Sequence, residues 1–162
     1  MVSIDHTKRF SALLADFGIL AAMTVVADES GAAIVEFDDG VFLHIVHGGG
    51  DALVVFADTG FELSSLPPES FVDLAEIFLK INFITSLSSR LTVAVSPEGN
   101  ILVSYADQIS RLDGTTLFNL VEEVLDKTRV LRDLIREVVD ETSDEGGSLS
   151  PGDLGIVMGK FV

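Results

Sequence analysis

The chain has 162 residues, enough for one domain with a real core and no covalent staples. Ten basic against 26 acidic residues give a net charge of -16, which repels phosphate backbones and anionic headgroups and argues against nucleic acid as a partner. The absence of cysteine excludes disulfide frameworks, thiolate metal sites and cysteine nucleophiles, and it fits a reducing, cytoplasmic compartment.

Hydrophobic residues nevertheless make up 48% of the sequence, and mean hydropathy is +0.46. Either the core is generous, or apolar surface is held for another chain while the charge keeps the free protein dispersed. The opening MVSIDHTKRF lacks the basic-then-apolar order of a secretory signal. The longest uncharged apolar stretch, Gly18 to Ala27, is too short to cross a bilayer, so no membrane insertion is expected.

A helix is predicted from Ile4 to Gly18, with Phe10, Leu13, Leu14 and Phe17 on one stripe at helical spacing. That stripe fits core packing; it also fits one wall of an apolar groove against the following strands. After it, the helix either extends to Met23 or gives way to a short strand over Thr24–Ala27. Three strands are expected at 33–40, 41–50 and 51–60, with Asp39-Gly40 read as a two-residue type I′ hairpin turn. Pro67 and Pro68 close this meander and open a second helix to Thr85.

The second helix carries two apolar stripes, one of Phe71, Ala75, Phe78 and Asn82 and one of Leu74, Ile77, Ile81 and Ile84. Covering one sheet needs one stripe, so a second copy of the chain is the economical partner for the other. A hairpin of LTVAVS (91–96) and NILVSYA (100–106) follows, and then a long helix over 115–141 that Asp113 or Thr115 can cap. Residues 142–162 read as an acidic Gly/Ser linker and a short apolar tail, outside a domain spanning 1–141.

No catalytic constellation emerges, and the chain is read as a non-enzyme. His47-Gly48-Gly49-Gly50 resembles an oxyanion-hole string, but no G-x-S-x-G elbow accompanies it, and a loop between short strands explains it. His44 and His47 stand three apart on a strand and face opposite sides, so neither a metal nor any other cofactor is expected. Asp38-Asp39-Gly40 lacks the further oxygen ligands of a calcium loop. GIVMGK at 155–160 is one residue short of a phosphate loop and is followed by Phe161 where a hydroxyl belongs.

FSALLADFG, VEFDDGVFLHIV, ALVVFADTGFELSSLPPESF, FLKINF and LTVAVSPEGNILVSYADQISRLDGTTLFNLVEEVLD, in this order, resemble the class I type III secretion chaperones of the Tir-chaperone (CesT-like) family over residues 8–141. The resemblance implies an α+β domain of order α-β-β-β-α-β-β(-β)-α, an antiparallel sheet packed by helices, homodimeric. It implies a chaperone that binds the N-terminal segment of a secreted effector. By position it would put Leu74, Ile77, Phe78 and Ile81 in the dimer interface, and Phe10, Leu13, Leu14, Phe17, Phe42 and Val54 near the effector. YbjN-like proteins resemble the same fold and imply instead an interaction module not tied to secretion. A small-molecule binding domain is a further alternative.

Overall fold

The computed structural model describes residues 5–144. In chain order the elements are α1 (His6–Leu20), β1 (Ala32–Glu36), β2 (Phe42–His47), β3 (Ala52–Glu62), α2 (Phe71–Ser88), β4 (Leu91–Val95), β5 (Asn100–Gln108) and α3 (Gly114–Asp144). The strands form one sheet in the order β1-β2-β3-β5-β4, an α+β architecture. The expected optional strand before α3 is not there; a single 3-10 turn, Ile109–Arg111, fills its place. Two compact units are distinguishable, residues 5–57 with 105–125 and residues 58–104 with 126–144.

In the first unit, Asp5 caps α1 by accepting from Lys8 N at 3.2 Å, and Phe10, Leu13, Leu14 and Phe17 are all buried. The helix runs two residues past Gly18. It ends when Ala22 N donates to Ile19 O and Met23 N to Gly18 O, with Ala22 in the left-handed region at φ +53. Gly18 permits this reversal, since a Cβ there would lie 2.6 Å from Met23 O. Thr24–Ala27 follows as irregular backbone, so of the two alternatives neither the strand nor a helix reaching Met23 is formed. Alanine pays a steric penalty at a left-handed cap, so Ala22→Gly is expected to stabilise the protein by about 0.5–1 kcal/mol in urea unfolding.

The meander pairs antiparallel, with Ile34 opposite His44 and His44 opposite Phe56. Leu43, Ile45, Leu53, Val55 and Ala57 alternate into the core at 0% exposure. The β1–β2 connection is not the expected two-residue turn. Gly40 N donates to Phe37 O, Phe37 N donates to Val41 O, and only Gly40 takes positive φ, at +75. A type I′ turn needs positive φ at Asp39 too; instead Asp39 Oδ1 accepts from Val41 N, and a three-residue loop with a glycine bulge results. The same bonds recur at Pro97-Glu98-Gly99, where Gly99 N donates to Ser96 O and Ser96 N to Asn100 O. Asp113, not Thr115, caps α3, accepting from Thr116 N at 2.7 Å, and Gly114 lies so close to Asp16 that a Cβ would clash at 2.6 Å.

In the second unit, a 3-10 turn at Pro68–Ser70 precedes α2, which therefore starts at Phe71. Leu74, Ile77 and Ile81 each fall to 1% exposure, and burial of such side chains contributes about 1.5–3 kcal/mol apiece. The C-terminal half of α3 buries Leu131, Leu134, Ile135 and Val138, and Arg132 Nε donates to Thr59 O at 2.9 Å. The expected linker and tail at 142–162 fall almost wholly outside the described residues.

Candidate protein-binding surface

The His-Gly-Gly-Gly-Asp stretch is structural. His47 stacks on Phe10 at 5.4 Å and its Nε2 lies 2.9 Å from Gly50 O, while Gly49 and Gly50 take positive φ to turn the chain. Asp51 then ties three segments together: it accepts from Ser110 N at 2.8 Å and from Ser110 Oγ, and His6 Nδ1 lies 3.3 Å away, off-line for a hydrogen bond. Serine, aspartate and histidine meet in the wrong order for a triad, because the hydroxyl donates to the carboxylate and no base stands ready to take its proton. Among the described residues no group of three histidine, cysteine or acidic side chains has metal-holding geometry.

The Ser110 hydroxyl, helped by the Ser110 amide and by His6 and Arg9, holds Asp51 below the ordinary aspartate pKa. Asp28 and Asp113 are lowered similarly, by Ser30 and by Thr116. A folded-state pKa below the unfolded one gives stability that is full above the unfolded value and fades as pH falls through the folded value. Unfolding midpoints followed from pH 7 to pH 3 are expected to fall steeply at the acid end, and Asp51→Asn to flatten that fall while lowering the plateau at pH 7.

The two faces of the meander differ. Residues alternating with its buried ones leave an apolar outer face: Ile34 is 56% and Phe42 43% exposed, with His44, Val46, Val54 and Phe56 half-buried beside them. His44 stacks flat on Phe56 at 4.5 Å, so even the polar side chain there presents an aromatic surface. Phe42 and Val54, expected near a partner, lie on this face. Phe10, Leu13, Leu14 and Phe17 do not. All are at or below 4% exposure, and Phe10 meets His47, which shares the parity of Leu43 and Ile45, so α1 covers the inner face. Sequence reading passed over Ile34, Val46 and Phe56. Their signal is present, since strands apolar at both parities need a cover on each side.

The two sheet edges are unequal as well. Gly31, Val35 and Phe37 share the parity that bonds to β2, as His47 N to Gly31 O and Phe37 N to Val41 O show, so Ala32, Ile34 and Glu36 aim their peptide groups outward. Ala32 is satisfied by Asp28, through its N–H to Asp28 Oδ1 and its carbonyl from Asp28 N. Ile34 and Glu36 remain as rungs on an edge that no strand of the described residues covers. On β4 the outward peptide of Val93 is taken by the Asn82 side chain, which donates to Val93 O at 3.0 Å and accepts from Val93 N at 2.7 Å. Leu91 N donates to Ser89 Oγ at 3.3 Å. Side chains thus engage β4 at Leu91 and Val93, whereas no strand among the described residues pairs with the outward peptides of Ile34 and Glu36 on β1. Asn82→Leu removes both bonds from Val93 and is expected to cost about 1–3 kcal/mol in urea unfolding and to promote edge association on concentration.

Of the residues expected at a dimer interface, Leu74, Ile77 and Ile81 are buried within the single chain and Phe78 is half-buried. Leu74, Ile77 and Ile81 pack in the second unit's own core, and Phe78 is the member of the set that keeps exposed surface. The exposed face of α2 is a third stripe, Val72 at 74%, Leu79 at 71%, Phe83 at 68% and Leu87 at 76%. No helix among the described residues is long and apolar enough to cross a membrane.

Comparison with known proteins follows the same lines. The family model for the Tir chaperone protein (CesT) family matches residues 12–132. Among curated proteins, no sequence matches the chain. Among solved structures, the chain is similar to the ExsC–ExsE complex at 20% identity and TM-score 0.67, covering 82% of this chain and 97% of that one. It is similar to the HopA1–SchA chaperone–effector complex at 17% identity and TM-score 0.65, covering 82% and 99%. A third likeness is to the Yersinia pestis type III secretion chaperone SycH in complex with a stable fragment of YscM2, at 22% identity and TM-score 0.58, covering 74% and 96%. At these identities the likeness establishes the fold.

Proposed function

Because the chain belongs to the Tir chaperone protein (CesT) family, we propose that it is a non-catalytic cytoplasmic chaperone that holds the N-terminal segment of a type III secreted effector in extended form. The observation that carries this reading is the coincidence of an open β1 edge with an apolar outer face on the same strands. An extended segment adding to β1 bonds to the Ile34 and Glu36 peptides and lays alternate side chains toward Ile34, Phe42 and Phe56. Backbone pairing supplies affinity that tolerates sequence, and the pockets between these side chains supply selectivity. The chaperone–effector and chaperone–fragment complexes among the similar structures support the same use of the fold.

Burying roughly 1,000–3,000 Å² while ordering a disordered segment offsets the ordering cost and leaves affinity moderate, which suits a guest that must be released. The net charge of -16 keeps the guest-bound particle dispersed and favours a basic guest. The proposed assembly is a homodimer through the exposed α2 face, since Val72, Leu79, Phe83 and Leu87 are too apolar and too contiguous along the helix to remain in water. The test is coexpression with segments covering about the first hundred residues of secreted proteins encoded nearby. A complex that survives size-exclusion chromatography is expected; failure of every such segment to copurify, with the chaperone itself folded, overturns the proposal.

A further inference from the structure

Between Arg9 and Lys80 the sequence contains no lysine or arginine, although aspartate and glutamate recur throughout. Strands β1, β2 and β3 all fall within that stretch, so the outer face of the meander carries apolar, aromatic and acidic side chains and neither kind of basic one. On β1, Ile34 and Glu36 share that face, because residues two apart on a strand point the same way. Both are exposed, and Glu36 joins no ion pair among the described residues. Across on β2, Ile34 stands opposite His44 and Glu36 opposite Phe42. The same two residues present the outward peptides with which no strand among the described residues pairs. One step back, the Asp28 carboxylate accepts from Ala32 N at 3.1 Å, and Asp28 N donates to Ala32 O at 2.8 Å. Asp28 thus closes the edge on the Ala32 side and leaves an apolar rung beside an acidic one.

A strand added here sets one side chain beside Ile34 and the next on that face, two residues away, beside Glu36, whichever direction it runs. We propose that the β1 edge selects guest segments in which an apolar residue and a lysine or arginine stand two apart, with Glu36 as the residue that reads the charge. A long basic side chain suits both neighbours at that position, its stem lying on the Phe42 ring while its head meets the carboxylate. An acid there faces Glu36 directly, with no lysine or arginine on the meander to offset the repulsion. A slip of one residue turns the basic side chain to the opposite face, so the Ile34–Glu36 pair also holds the guest in register. This selection rests on the chaperone reading and adds a register and a charge to it.

The test pans a phage-displayed library of random segments of about nine residues, flanked by Gly-Ser spacers, against the purified full chain and against Glu36→Lys. Glu36 is exposed, so the variant keeps its fold. The native chain is expected to enrich segments with a branched aliphatic or aromatic residue two positions from lysine or arginine. Glu36→Lys should keep the apolar residue and exchange the basic one for aspartate or glutamate at the same spacing. In titrations of one enriched peptide, changing its basic residue to glutamate should weaken binding to the native chain roughly two- to fivefold, Glu36→Lys should restore it, and the penalty should shrink in about 1 M salt. Alternating apolar segments with no charge preference at that spacing, the same preference in Glu36→Lys, or a penalty that salt leaves unchanged each overturn this inference while strand addition stands. Enrichment of no alternating apolar segment overturns strand addition and this inference together.

Discussion

Ile77→Asp is expected to abolish folding, whereas Phe83→Asp, on the same helix, leaves the fold intact and dissociates the proposed homodimer. Ile77 is 1% exposed within one chain, so an aspartate there is an unpaired charge in an apolar core. The lost apolar burial and the desolvation of the carboxylate together cost more than about 4 kcal/mol, a large share of a typical domain stability of about 5–15 kcal/mol. Phe83 is 68% exposed, and an aspartate there stays solvated in the free chain while placing like charges together in a symmetric interface. Circular dichroism and light scattering separate the two outcomes. A folded dimer of Phe83→Asp would show that α2 is not the interface.

The second expectation concerns the β1 edge. Ile34→Pro is expected to weaken binding of an effector segment roughly five- to thirtyfold, while Ile34→Ala weakens it by about threefold. Proline removes the outward Ile34 N–H and crowds an incoming strand, yet it leaves the β1–β2 bonds in place because Ile34 does not bond to β2. Losing one backbone bond and its register corresponds to about 1–2 kcal/mol, or roughly five- to thirtyfold. Alanine keeps the peptide and loses only part of the apolar contact. Phe42→Asp is expected to match the proline variant by charging the outer face, which is already 43% exposed at that residue. Calorimetric titration against one segment measures all three; equal affinity of Ile34→Pro and the native chain would remove strand addition from the mechanism.

These contrasts reverse an assignment that sequence pattern invites. Helical spacing correctly groups Phe10, Leu13, Leu14 and Phe17, and likewise Leu74, Ile77 and Ile81, because side chains three and four apart share a helix face. Spacing says which residues are buried together but not what buries them. An apolar stripe has the same period whether it meets its own sheet, a twin or a guest. For both helices the structure buries the stripe within the chain, and the apolar residues it leaves exposed or half-buried are the less regular sets: Val72, Leu79, Phe83 and Leu87 on α2, and Ile34, Phe42 and Phe56 on the sheet.

The sequence by itself determined the order of helices and strands, the glycine positions where loops reverse, and the pairing of a net charge of -16 with 48% hydrophobic residues. These properties are local or additive, and local periodicity and summed charge are readable without coordinates. Only the tertiary structure decided that Asn82 takes up the Val93 peptide on β4 while no strand among the described residues covers β1, and that Asp51 ties the loop before β3 to Ser110. Each depends on residues distant in sequence meeting at hydrogen-bond range, Asn82 with Val93 and Asp51 with Ser110, and no pattern within a single element specifies that meeting.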